Sequence, residues 1–446
     1  MRHTLQRLWH PFPWLLAGLW FLLSTLFLVD LIASGQLPVD FGSYLRAVEA
    51  IQRGESPYFT IEQSRAIWQS YHQIEHEFLN GTVSNPAEML DDNFGPYVYP
   101  PTLALLIAQL HIHAFIFVLL LLGAVYGFGW FWVRSTTTNG WWVLLIVGSW
   151  DVLSSFLGAN VEIGLLGLTL AAAWLLWQQR GLWAAPLIAL VVLIKPFYAL
   201  FFVSLGLLAL LSHPSGRFSI FRTLSIAALG VLLLIGIEVY RWGPELQIET
   251  LHYLRNIVDY QWFGLPLAEQ TPMSIWNRTA LQGLLNAGIS VEFAQLGALA
   301  LWGLFLAITI WRAWRIQLTF HVVFALAFML FYWGRPVGWG LIYLEVVIAT
   351  VLWPILVGWQ RGALLAGLLA LMASHWLALI WSVQGGWLRL LTLQSADFPW
   401  ETWLVVPLCW GLLVLLLPKL SYQAYTQTSV ETLNTNTSVE RTQAVS

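Results

Sequence analysis

Eight ionisable side chains stand toward one side of the long apolar stretches of this chain, the side that the topology below places outside: Asp40, Asp151, Glu162, Lys195, Glu238, Arg241, Arg335 and Glu345. A charge at the centre of a membrane helix costs about 2.5–3.5 kcal/mol on insertion scales, so each needs a partner or a purpose. Asp40 lies in "VDFGSYLRAVEAIQRGESPY" (39–58), directly after the first apolar run. A carboxylate there can take a proton from an incoming hydroxyl, given hydrogen-bond reach and a pKa tuned by burial. It can equally cap a helix starting at Phe41, because Asp satisfies free N–H groups at helix starts. Lys195, in "LIKPFYAL", is a lone lysine between two apolar runs. Its ammonium can snorkel to the headgroups or meet a lipid phosphate as a point charge, and Pro196 ends the preceding segment and holds it at one depth. Arg335, in "WGRPVGW", can grip the same phosphate through two parallel hydrogen bonds or pair with Glu345 or another acid. Arg241 is a third cation available to that anion.

Polar and aromatic groups surround these charges in sequence. Tyr44 and Tyr58 follow Asp40, and "YVYPP" places Tyr97 and Tyr99 before Pro100 and Pro101. Paired prolines enforce an extended approach to the next helix. Tyr97 and Tyr99 read first as interface anchors and second as the lining of a sugar or acceptor pocket, to which Tyr44, Tyr58, Tyr99 and Asn160 are assigned. Asn160 also suits a turn or N-cap. The string "HQIEH" at 72–76 matches an inverted zincin motif, but no further ligand follows at a recognisable spacing, and short motifs match often by chance. His111 and His113 suit a helix junction better than a metal. With no Asp-x-Asp metal motif and no nucleotide-phosphate loop, neither a metal nor a cofactor is expected.

The elements that must position these groups are membrane helices. Hydrophobic residues make up 58% of the 446 and charged ones 10%, against about 45–50% and about 25% in soluble domains. Residues 14–29 carry no charge, and with the residues after them they can cross a hydrocarbon core that needs about 20 residues of helix. Apolar segments near 14–33, 114–133, 141–157, 160–178, 182–194, 197–212, 222–241, 293–311, 317–333, 341–358, 362–383 and 402–418 predict an all-α, polytopic membrane protein with about twelve crossings. With the N-terminus in the cytoplasm, alternate connections hold Arg134, Arg180, Arg217 with Arg222, Arg312 with Arg315, Arg361 and Lys419. One registration of the chain therefore satisfies the positive-inside rule. It places both termini inside, and it places outside the connections that carry Asp40, Asn160, Lys195, Arg241 and Arg335. Residues 34–113 and 242–292 become long extracytoplasmic loops with short helices, 1–420 a single transmembrane domain, and 421–446, rich in Thr, Gln, Asn and Ser, a disordered cytoplasmic tail. The one cysteine, Cys409, cannot form an internal disulfide. Two lysines and no basic block exclude nucleic acid as a partner.

The opening stretch resembles the first outer loop of glycosyltransferase family 87, membrane mannosyltransferases of GT-C architecture that use polyprenyl-phosphate-mannose. The matching residues are Asp40, Phe41, Tyr44, Ala47, Gly54, Pro57 and Tyr58, then Tyr99-Pro100-Pro101, Asn160, and Lys195-Pro196. The likeness covers roughly the first 200 residues in order and topology. It implies a GT-C-like fold, Asp40 as general base, and an inverting displacement in which lipid phosphate leaves. The chain departs from the family at "RPVGWGLIY", where Leu341 and Ile342 stand in place of histidines, and at "GAN" (158–160), which lacks a glutamine beside the asparagine.

The expected function is transfer of a hexose, mannose by the resemblance, from a polyprenyl-phosphate donor to a lipid or glycan acceptor at the outer face of the cell membrane. Two rivals are a non-enzymatic transporter or flippase of lipid-linked sugars and a degenerate family member that binds donor without turnover. A transporter is expected to carry its ionisable groups near the midplane on broken, repeated helices, whereas here they cluster toward one boundary and no repeat is visible.

Overall fold

The computed structural model describes residues 11–33, 38–63, 65–66, 97, 99–136, 138–149, 152, 159–212, 216–258, 280–335, 342–384 and 407–419. Every regular element with named bounds among them is an α-helix: α1 (Phe12–Ala33), α2 (Val39–Gln52), α3 (Pro101–Leu110), α4 (Ala114–Ser135), α5 (Trp141–Val147), α6 (Val161–Trp177), α7 (Gly181–Ile194), α8 (Tyr198–Ser212), α9 (Arg217–Trp242), α10 (Pro244–Val258), α11 (Ala280–Asn286), α12 (Val291–Ala313), α13 (Phe320–Gly334), α14 (Ile342–Leu352), α15 (Trp359–Gln384) and α16 (Pro407–Lys419). The HQIEH string, Asp151, Pro336 to Leu341, and the tail 421–446 lie outside the described residues.

Four helices among the described residues are both long and apolar enough to cross a membrane: Phe12–Asp30 within α1, then α4, α9 and α12. Several of the others expected to cross are shorter, such as α6, α7, α8 and α13 at 14 to 17 residues. A helix rises about 1.5 Å per residue, so these fall short of a core about 30 Å thick. Their ends have local causes. Lys195-Pro196 stops α7, because proline cannot donate to the preceding turn and disfavours helix at the residue before it. In the segment expected to span 141–157, the first helix ends at Val147 with Gly148 as its C-cap, and Val152 is again helical. The molecule is a membrane-embedded helical protein with a few full-length helices and a larger set of short apolar ones.

Position in the bundle follows from how each apolar face is covered. On α1, Leu15, Leu19, Leu22, Leu23 and Leu26 are all exposed, which in this chain means a lipid-facing outer helix. On α13 every residue from Val322 to Trp333 is buried, so it is the central post, packed by α8, α12 and α14. Lipid tails are as apolar as leucine, so helix association here relies on close packing and small residues. Gly164 and Gly167 bring α6 onto α4, where a Cβ on Gly167 would lie 2.9 Å from Ala124 Cβ and 3.0 Å from the Ala124 carbonyl oxygen. α7 in turn packs on both α6 and α9, and α2 lies on α3. That order stacks the N-terminus of α6, the C-terminus of α7 and the start of α2 at one end of the bundle.

Replacing Gly167 with Ala forces a methyl group against a backbone carbonyl and is expected to destabilise the protein by about 1–3 kcal/mol. Gly236→Ala, with nothing within 4 Å of the added carbon, is expected to be neutral or to stabilise by up to about 1 kcal/mol. Melting temperatures in detergent micelles compare the two.

Candidate functional site

Asp40 sits in the first turn of α2, which starts at Val39 with Pro38 as its N-cap and no side-chain cap. The helix thus begins two residues earlier than expected, and Asp40 does not cap it. Its carboxylate still lies where the helix dipole favours an anion. The side chain is half-buried and takes a hydrogen bond from Asn160.

Asn160 is the N-cap of α6, and its amide orientation is settled by its partners. Oδ1 accepts from the Glu162 backbone N–H at 2.9 Å and from the Tyr99 hydroxyl at 3.3 Å. A backbone N–H can only donate, so the amide NH₂ is the group left for Asp40. The turn before it places Ala159 at φ 53°, a left-handed conformation uncommon for a residue with a side chain. Tyr44, fully buried, accepts the Val161 N–H on its hydroxyl at 3.2 Å. Two otherwise free N–H groups of α6 are therefore held by residues 160 and 44.

The tyrosines form a buried cluster, which overturns the reading of Tyr97 and Tyr99 as interface anchors. Tyr97 and Tyr99 are 1% and 6% exposed. Tyr44 meets Tyr99 edge to face with ring centroids 5.5 Å apart. The Tyr97 hydroxyl donates to the Pro100 carbonyl at 2.6 Å and accepts from the Ala104 N–H at 3.2 Å, which ties the start of α3. Covering by α10 explains their burial: Tyr58 stacks on Tyr253 at 4.6 Å, bonds the Thr250 hydroxyl at 2.9 Å and donates to the Tyr99 carbonyl at 3.1 Å.

In the first turn of α6, Glu162 receives Lys195 on one carboxylate oxygen and Arg335 on the other, the latter at 3.3 Å. Lys195 is the C-cap of α7 and Arg335 that of α13. The structure thus gives Arg335 a partner in Glu162. Arg335 is 1% exposed and lies behind the acid, while the Lys195 side chain keeps 16% of its surface and stands 5.9 Å over the Tyr99 ring. Glu162 was among the ionisable candidates but not assigned to the site; a single acid in the first turn of an apolar helix, in a chain with lone cations elsewhere, was the available signal. Burial lifts the Asp40 carboxyl from the usual carboxylate range to about 6, a rise limited by the Asn160 hydrogen bond and the Lys195 charge.

Asp40, Asn160, Tyr44, Tyr99, Glu162, Lys195 and Arg335 therefore form one connected polar group, with Tyr58 attached through the Tyr99 carbonyl. Arg241 stands apart from it. Its guanidinium is exposed, lies 4.9 Å over the Trp242 ring, and lines a groove of about 210 Å³ with Gln52 of α2 and Gln109 of α3. Among the described residues no three His, Cys, Asp or Glu side chains converge as a metal site. What the group can do is accept a proton at Asp40 and present a partly exposed ammonium at Lys195. Comparisons of the chain with protein-family models, curated proteins and solved structures found no match.

Removing the charge of Glu162 leaves two cations facing each other in a buried site. Glu162→Gln is expected to cost about 3–5 kcal/mol, the usual size when one member of a buried pair is deleted, and Glu162→Gln/Lys195→Met to recover part of that loss in thermal unfolding. Asp40 gives a pH signature of known sign. Its folded-state pKa is above the unfolded value of 3.8, so its contribution to stability is present below about pH 4 and is lost as the pH rises through about 6. Asp40→Asn is expected to melt a few degrees higher than the parent at pH 7.5 and to match it at pH 4, read by melting curves at both pH values.

Proposed function

We propose that this protein is a membrane glycosyltransferase with a GT-C-like arrangement of about twelve membrane segments. It transfers a hexose, mannose by resemblance, from a polyprenyl phosphate to a lipid or glycan acceptor on the extracytoplasmic side. The observation that carries the reading is a half-buried carboxyl, Asp40, with a pKa near 6, joined through one asparagine to a buried ion cluster whose lysine is partly exposed. A base works best when its pKa lies near the operating pH.

The chemistry is a single inverting displacement. Asp40 takes the proton of the acceptor hydroxyl as its oxygen attacks the anomeric carbon from the face opposite the phosphate. The bond from that carbon to the phosphate oxygen breaks, the electron pair leaves with the polyprenyl phosphate, and the proton passes from Asp40 to solvent. The leaving group is stable as an anion, so the protein needs only to position it and offset its charge. Glu162 is shared between Lys195 and Arg335, and Lys195, the cation of the two that keeps exposed surface, is the one placed to meet phosphate. Tyr44, Tyr99 and Asn160 hold the base and the lysine in register, and Tyr58 fixes the covering helix α10. Arg241, apart from this group, is a phosphate contact only for a donor lipid long enough to reach along α2.

Asp40→Asn keeps the shape and the Asn160 contact but cannot accept a proton. In proteoliposomes supplied with polyprenyl-phosphate-mannose and a lipid acceptor fraction, it is expected to lower transfer by about 10²–10⁴-fold, with donor binding retained. Transfer at the parent rate would remove Asp40 from the reaction. Sugar-lipid crossing the bilayer without product, in parent and variant alike, would favour a transporter.

A further inference from the structure

A second charged feature lies at the opposite end of the bundle. α6 begins beside Asp40 and runs for 17 residues, so its last turn lies about 25 Å away, close to the thickness of a hydrocarbon core. There the turn between α6 and α7 meets α9 across a groove of about 330 Å³ lined by Gln179, Arg180, Leu182, Trp183 and Arg222. The two helices touch at Gly181: a Cβ there would lie 1.9 Å from the Thr223 hydroxyl oxygen. The residues immediately preceding this contact are Arg180 and Arg222. Close packing at the glycine thus brings two arginines to one groove.

Neither arginine forms an ion pair with a carboxylate among the described residues, and both are exposed. Arg217, one turn earlier on α9, adds a further positive charge while donating to the Leu210 carbonyl. Like charges held together are unfavourable unless an anion joins them. The surroundings are apolar and uncovered: Leu182, Trp183, Phe218 and Phe221 are 71%, 72%, 79% and 61% exposed. Phe218 and Arg222 are four residues apart on one face of α9.

We infer that this groove binds the headgroup of an anionic phospholipid, with the phosphate between Arg180 and Arg222 and the acyl chains along Trp183 and the α9 phenylalanines. Guanidinium groups match phosphate oxygens through paired hydrogen bonds, and basic pockets between membrane helices suit anionic headgroups. A free phosphate would use the arginines and leave the apolar rim without a role; a lipid uses both. The site does not depend on the reaction assigned to Asp40.

The test titrates the detergent-purified full chain with short-chain phosphatidylglycerol, short-chain phosphatidylcholine or inorganic phosphate, reading melting temperature and bound lipid by native mass spectrometry. Phosphatidylglycerol is expected to be retained and to raise the melting temperature, and the other two are not. Arg180→Gln/Arg222→Gln is expected to weaken phosphatidylglycerol binding at least tenfold, and Arg180→Lys/Arg222→Lys to keep part of it. Should the glutamine pair not fold, Arg222→Gln alone is expected to lose at least threefold. Equal binding of the two lipids, an undiminished affinity in the glutamine variants, or a response to inorganic phosphate as large as to lipid would each overturn the assignment.

Discussion

The contact on which the rest depends is the double ion pair at Glu162. One carboxylate in the first turn of α6 joins the C-terminal residue of α7 to that of α13, and these three helices belong to parts of the chain up to 173 positions apart. Three charges taken together out of water are costly, and such clusters often add little to net stability. Their value lies in specification. With each oxygen of Glu162 committed to a different cation, α7 and α13 cannot slide along α6 without stranding a charge. The same geometry sorts the cations by access: Arg335 is 1% exposed on the closed side, while the Lys195 side chain keeps 16% of its surface on the open side.

Much of this frame is legible in the sequence, because polar residues punctuate apolar runs. Asn160, Arg180 and the Lys195-Pro196 pair mark the ends of α6 and α7 almost to the residue, since a cap, a charge and a proline each impose a local condition that tertiary packing does not override. The segment after Trp141 is less legible. It is apolar enough to read as a span, yet the helix stops at Gly148, and hydropathy averaged over a window cannot register a single break. The site was legible in its members and less so in its wiring. Asp40, Asn160 and Lys195 are recognisable as polar groups needing a purpose, but Glu162 and Arg335 have no spacing that announces their meeting. The tyrosines show a further limit. Their amphipathic character fits an interface and a core equally well, and the difference is made by α10, whose Thr250 and Tyr253 lie almost 200 positions from Tyr58.

The two ends of α6, about 25 Å apart, carry different polar groups. Its N-terminus is held by side chains, from Asn160 and Tyr44, which leaves the amide of Asn160 to orient Asp40. Its C-terminus runs into a turn with Gln179 in a left-handed conformation and into the Gly181–Thr223 contact, where arginines gather. Close packing through glycine on the α4 side fixes the helix between these ends. A rigid spacer of this kind keeps the acid-bearing face and the arginine-bearing face at a constant separation.

Short helices at the centre of a membrane protein carry a physical consequence for where polar chemistry can sit. A helix of 14 to 17 residues cannot present backbone-satisfied structure across the whole hydrocarbon layer, so its ends, with their free N–H and C=O groups, fall inside the membrane's depth or at its edge. Those groups must be met by side chains, and in this molecule Asn160, Tyr44 and the Glu162 cluster stand at such ends. The full-length helices α1, α4, α9 and α12 contribute no member to that cluster; α1, α9 and α12 expose much apolar surface. The Glu162 cluster sits at the ends of short helices because an incomplete span leaves a recess in which charges can be solvated by protein.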